Sequence, residues 1–281
     1  MYIPFNFIST EGSLDATGGN VQTFSSGGIN YKSHEWNLGE QNATHSFTVN
    51  SGITNQAQIL VVGAGGGYGG GDFSDPDYFP PGGGGGEAII SSSLRLVGGT
   101  SYEIILGSMG TDSYGTGPGT NGGNASINGP SISETALGGG GGGGVIFGNR
   151  DGLSGGSGGG AGTTGGGAGS NGSAGAGARG GDGGSATTCP PNFRGGAGGG
   201  ATGNASGNDP GPGLSTNMRT GVIEYYAHGG VPGIASIPYC SADTFPPGFF
   251  TARAGHGNSY AGIETSFSTA CVIITYPIWK N

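Results

Sequence analysis

Gly138-Gly139-Gly140-Gly141-Gly142-Gly143-Gly144 opens a stretch that runs to Gly213 and is mostly glycine. It continues through Ser157-Gly158-Gly159-Gly160-Ala161-Gly162, Gly165-Gly166-Gly167-Ala168-Gly169 and Ala174-Gly175-Ala176-Gly177. It closes with Gly195-Gly196-Ala197-Gly198-Gly199-Gly200 and Pro210-Gly211-Pro212-Gly213. Three states are open to such a stretch. Gly/Ser tracts commonly behave as flexible coil, because glycine loses the most conformational freedom on folding. Collagen needs glycine at every third position. That register fails here, since counting in threes from Gly155 and Gly158 lands on Ala161, and from Gly162 and Gly165 on Ala168. The third state is a packed bundle of polyglycine II-type helices with the extended backbone of polyproline II. Such helices have no internal hydrogen bonds, so their N–H and C=O groups must be paired by neighbouring helices.

Ordering each glycine costs roughly 1–2 kcal/mol, so a bundle requires a folded scaffold that closes both ends of each tract. The flanks and spacers favour that state. Single Ala, Ser, Asn and Thr residues interrupt the tracts and are small enough for close packing, whereas a solvated linker would carry more charge.

Of 281 residues, 72 are glycine and only 9% are charged, which marks a specialised architecture with a modest core outside the tracts. The formal net charge is −9 and the lysines are Lys32 and Lys280, which argues against nucleic acid or an anionic membrane as partner. No apolar run is long enough to span a bilayer, and the start, Met1-Tyr2-Ile3-Pro4-Phe5-Asn6-Phe7-Ile8, lacks the pattern of a secretion signal. Cys189, Cys240 and Cys271 are widely spaced without a CxxC pair, so one disulfide is open but no disulfide framework is expected.

Outside the tracts the chain reads as short strands separated by turn residues, with no helical period. The strand candidates are 16–23, 29–36, 45–49, 58–62, 87–97, 101–106, 124–127, 131–137, 222–227 and 270–276. The pieces at 87–97 and 101–106 read as a hairpin around Gly98-Gly99. Strands on both sides of the glycine region predict an all-β protein, a jelly-roll-like β-sandwich with an inserted glycine-rich bundle. Residues 1–44 are read as N-terminal strands or an attachment arm, and residues 45–281 as the sandwich domain, with the insert at about 138–260.

Several segments follow one another in a telling order. They are Ala16 to Thr23, Tyr31-Lys32-Ser33-His34, Phe47-Thr48-Val49, Leu60-Val61-Val62-Gly63-Ala64-Gly65-Gly66-Gly67, Gly82 to Ile90, Gly99-Thr100-Ser101-Tyr102, and Val272-Ile273-Ile274-Thr275-Tyr276. The series resembles the glycine-rich domain family of bacteriophage tail-fibre and virion proteins, with a tumour-necrosis-factor-like β-sandwich carrying polyglycine helices. The resemblance runs from residue 16 onwards. It implies a non-enzymatic, homo-oligomeric virion protein, exposed on a tail fibre, head fibre or capsid surface. Its partners would be other virion proteins and a host cell-surface receptor or glycan. A decoration or fibre-cap protein without receptor binding is the alternative, and a secreted bacterial surface fibre protein a further one. The long shaft-forming region usual in tail fibres is missing, which implies a separate short virion protein or a cap.

Motifs for chemistry are weak. Gly65-Gly66-Gly67-Tyr68-Gly69-Gly70 satisfies GxGxxG, but no helix follows to present its N-terminus to a pyrophosphate. His34, His45, His228 and His256 are scattered, and no cofactor is expected. Asp72, Asp75 and Asp77 share a loop whose carboxylates suit Ca²⁺, although a solvated acidic loop is the preferred reading. The stronger signal is aromatic. Tyr68, Phe73, Tyr78 and Phe79 fall in one Pro/Gly-rich segment and Tyr239, Phe245, Phe249 and Phe250 in another. Such side chains offer large contact area at low ordering cost and suit protein or sugar recognition; a satellite core over the bundle's edge is the competing role.

If the tracts are ordered, limited proteolysis of the intact assembly should spare Arg150, Arg179 and Arg194. Rapid cleavage at those arginines would instead identify the stretch as coil.

Overall fold

A computed structural model describes residues 14–37, 43–71, 78–144, 150–162, 180–184, 187–189, 192–233, 255, 257 and 269–278. Among the described residues every regular element is a β-strand. Two five-stranded antiparallel sheets dominate. The first runs in the order β1 (Asp15–Thr17), β4 (Thr44–Ser51), β8 (Thr100–Ile105), β9 (Ala125–Gly129) and β10 (Ile132–Ala136). The second runs β2 (Asn20–Ser26), β3 (Ile29–Trp36), β15 (Cys271–Ile278), β5 (Ile53–Val62) and β7 (Ala88–Val97). A small sheet joins β11 (Thr187–Cys189), β12 (Asn192–Arg194) and β6 (Tyr78–Phe79), and β13 (Leu214–Thr216) pairs with β14 (Glu224–Tyr226).

The two large sheets bury a common core, as expected of a β-sandwich. Alternation places Phe47 and Val49 of β4 inside with Tyr102 and Ile104 of β8, against Trp36, Ile59, Ile274 and Tyr276 of the other sheet. At its centre the Phe47 ring meets Trp36 edge-on, with centroids 6.0 Å apart, and His34 at 5.0 Å. β15 reads as a continuous apolar run because both of its faces are covered. Val272 and Ile274 point into the main core, while Cys271 and Ile273 join Leu60, Val62, Met218 and Tyr226 in a second cluster on the outer face.

Three sequence expectations are corrected. The piece at 16–23 is two strands in different sheets, divided by Gly18 and Gly19, whose φ angles of +121° and +59° suit glycine. The pieces on either side of Gly98-Gly99 do not pair with each other: β7 bonds β5 and β8 bonds β4. The turn therefore carries the chain from one sheet to the other. The β4–β5 corner does the same, and the two corners are tied by Gly98 N–H to Gly52 O at 2.8 Å and Gly99 N–H to Val49 O at 2.7 Å. Finally, the strand expected from Val222 begins only at Glu224.

The glycine segments continue directly from strands. Gly63–Gly71 follows β5, Gly82–Gly86 leads into β7, and Gly138–Gly144 follows β10; all are buried and belong to no strand. Their backbone groups bond between segments with a stride of three. Gly63, Gly66 and Gly69 donate to Glu87, Gly84 and Pro81, whereas Ala64, Gly67 and Gly70 donate to Gly123, Thr120 and Gly117. In the same way Gly139 and Gly142 donate to Ala64 and Gly67, and Gly140 and Gly143 to Ser157 and Gly160. The third set of donors, Gly138 and Gly141, finds side chains instead, Asn124 Oδ1 and Asn121 Oδ1, both at 3.0 Å. Those asparagines belong to the adjoining segment, whose Gly119 and Gly122 in turn donate to Gly142 and Gly139, and they keep the stride. Glu87 seals the seam with the sandwich: it exchanges backbone contact with Gly63 and Leu137, and its Oε2 accepts Leu137 N–H at 3.0 Å.

Close approach forbids side chains here. A Cβ on Gly159 would run into the carbonyl of Gly141, and one on Gly198 into that of Gly83, whereas one on Gly115 would meet nothing within 4 Å. Because backbone cannot yield as a flexible side chain does, Gly159→Ala is expected to cost at least about 1–3 kcal/mol. Gly115→Ala should be nearly neutral. Thermal unfolding of the two variants checks this, and equal melting temperatures would contradict the packing.

Candidate functional site

The described aromatic candidates are placed unequally. Tyr68 lies inside a glycine segment and is only 4% exposed. Its N–H donates to Asp112 Oδ1 at 3.0 Å, and its ring meets Tyr114 edge-on with centroids 5.8 Å apart. The surface there belongs to Tyr114, which is 76% exposed. The backbone of Tyr78 and Phe79 forms β6, paired in parallel with β12 so that Tyr78 stands opposite Phe193 and Phe79 opposite Arg194. This segment is thereby joined to one from the middle of the glycine-rich stretch. Phe73, Tyr239, Phe245, Phe249 and Phe250 lie outside the described residues, as do Asp72, Asp75 and Asp77. Among the described residues no group of His, Cys, Asp and Glu is arranged to hold a metal ion. No helix of the described residues is long and apolar enough to cross a membrane. Cys271 is buried.

The sequence reading missed the β13–β14 hairpin as a surface feature. Its connection, residues 217–223, ends in Val222 and Ile223, exposed by 68% and 63%. An apolar pair next to Glu224-Tyr225-Tyr226 looks like strand interior; the one contrary signal was Gly221, whose φ is +79°. Side-chain anchors fix the hairpin to the outer face of the second sheet. Arg219 forks onto Glu224, with Nε to Oε2 at 2.9 Å and Nη2 to Oε1 at 2.6 Å, and reaches Glu35 Oε2 at 3.4 Å. The carboxylates raise the guanidinium pKa further above its ordinary value. Ser33 Oγ donates to Arg219 O at 2.8 Å and Thr275 Oγ1 to Met218 O at 2.7 Å. Charge-assisted, two-point contacts of this kind hold geometry as well as adding energy, so the apolar tip is presented on a rigid mount.

Two buried histidines are structural, and their tautomers follow from their partners. His34 Nδ1 must donate to Gly18 O at 2.7 Å, because a carbonyl only accepts, leaving Nε2 to accept from Tyr276 Oη at 3.0 Å. His228 has the opposite tautomer, since its Nδ1 accepts the Gly213 N–H at 2.9 Å. Both rings are neutral. Burial lowers the His34 pKa below the usual range and pushes that of His228 down to about 4.

A depressed folded-state pKa means that protons bind the unfolded chain more tightly. The stability contributed by neutral His228 is therefore complete above its unfolded pKa of about 6.5 and is lost as pH falls towards 4. Urea unfolding should show a loss of about 2–3 kcal/mol between pH 7 and pH 4.5 from this group. His228→Asn should be less stable at pH 7 but flatter across that window. Parallel profiles for the two proteins would remove His228 as the cause.

Compared with known protein families and with curated proteins, the sequence matches no family model and no curated relative.

Proposed function

We propose that the chain is a bacteriophage virion protein whose glycine segments are polyglycine II-type helices packed as a rigid insert on a jelly-roll-like sandwich. Its loops would contact the host surface. The fold part of this reading rests on the stride of three, since a helix with about three residues per turn turns one face in three towards each neighbour. The functional part rests on one observation: the interior of the glycine region is backbone meeting backbone, while large apolar groups such as Tyr114, Val222 and Ile223 stand exposed. A surface poor in side chains cannot discriminate partners, so recognition falls to loops carrying aromatic and aliphatic anchors. The order of the sequence segments supports a virion role on a tail fibre, head fibre or capsid, in a homo-oligomer without enzymatic activity.

In the sequence, the segments at 71–81 and 239–250 concentrate such anchors. Particles carrying Tyr78→Ala, Phe79→Ala, Phe249→Ala or Phe250→Ala are expected to adsorb more weakly to host cells, because truncation of an anchor typically costs about 2 kcal/mol or more. Their content of the protein should be unchanged. Normal adsorption and normal incorporation together would exclude these loops as the contact surface. Loss of incorporation alone would identify a decoration or fibre-cap protein bound to another virion component.

A further inference from the structure

We infer that the outer face of the second sheet carries a binding site for one ring of a neutral saccharide. Where the 217–221 connection meets β2 and β3, a cavity of about 150 Å³ opens to solvent. Phe24 and Tyr31, opposite each other in the β2–β3 register, form one wall, stacked with centroids 5.3 Å apart and planes 17° from parallel. Gly221 holds the stack from the side; a Cβ there would stand 2.9 Å from Phe24 Cδ2. The aromatic wall is therefore set before any ligand arrives. Thr275 and Met218 form the floor, and their mutual hydrogen bond uses up the threonine hydroxyl as donor.

The remaining polar groups are uncommitted. Gln58 and Asn217 line the cavity with exposed side chains, and neither amide nor the Tyr31 hydroxyl makes a hydrogen bond among the described residues. Two amides, each both donor and acceptor, beside a flat aromatic face match a pyranose, which offers a C–H face on one side and hydroxyls around its rim. None of the described lining residues is charged and the chain carries a formal net charge of −9, which disfavours acidic sugars and phosphates. The volume is below that of a drug-sized pocket and fits a single ring. None of the described lining residues belongs to the segments at 71–81 and 239–250, and the proposal does not depend on their role in attachment.

Saturation-transfer NMR on the purified full chain tests it, with D-glucose, D-galactose and N-acetyl-D-glucosamine as separate probes. At least one sugar should receive saturation at its ring C–H protons, with a Kd of roughly millimolar order. Tyr31→Ala should weaken binding about tenfold or more, and Gln58→Ala and Asn217→Ala each by roughly threefold or more. Thr23→Ala, on the opposite face of β2, should leave it unchanged. The amide variants alter exposed side chains without internal bonds, so they carry the test even if Tyr31→Ala fails to fold. No transfer from any probe up to about 50 mM, far above the millimolar range, overturns the site. So does transfer that persists undiminished in both amide variants. Because the readout is sugar binding by the isolated chain, failure here leaves the adsorption experiment independent, and the reverse also holds.

Discussion

Backbone hydrogen bonding between segments without side chains is the interaction on which the rest of the molecule depends. A single such bond adds only about 0.5–1.5 kcal/mol net, against roughly 1–2 kcal/mol to order each glycine. A tract on its own loses that comparison. What reverses it is continuity with the sandwich: Gly63, Gly86 and Gly138 lie within a residue or two of strands whose positions are fixed by the apolar core. Once the first donors are placed, the neighbouring segments are held at a distance no Cβ could share, and each further bond forms in a pre-set register.

The sandwich in turn depends on distant parts of the chain. β15 sits between β3 and β5, so the centre of the second sheet is completed by residues from the far end of the described chain. The loop enclosed between β5 and β15 contains every glycine segment. Pairings of this separation in sequence are slow to form, and the glycine region is folded inside the loop that they close. The Arg219 fork then links the two parts, since it joins a hairpin emerging from the glycine region to Glu35 of β3.

Much of the sandwich was legible because its strands obey local rules. The apolar run at Val272-Ile273-Ile274 and the alternation around Phe47 and Val49 are set by burial and appear in the sequence as such. Partnership was less legible. Gly98-Gly99 has the composition of a hairpin turn, yet the two adjoining strands find better partners in opposite sheets, and nothing local encodes that choice. The pairing of Tyr78 and Phe79 with Phe193 and Arg194 is parallel and joins segments far apart, so it leaves no local trace. At the surface, sequence proximity of aromatics and prolines drew attention to two loops. It overlooked Val222 and Ile223, which read as strand interior, and the Phe24–Tyr31 stack, which exists only once β2 and β3 are paired. Tyr68, an aromatic beside glycines, is held inside by its neighbours.

The stride of three has a consequence for how such a chain can change length over generations. Adding or deleting one or two residues within Gly138–Gly144 would turn every later donor towards the wrong neighbour, so that Gly142 would no longer face Gly67 nor Gly143 face Gly160. A change of three residues restores each face to its original partner. Length variation inside the tracts is thus quantised in triplets, while the connections between tracts are under no such rule. A change of length in those connections leaves the donors within each tract in register.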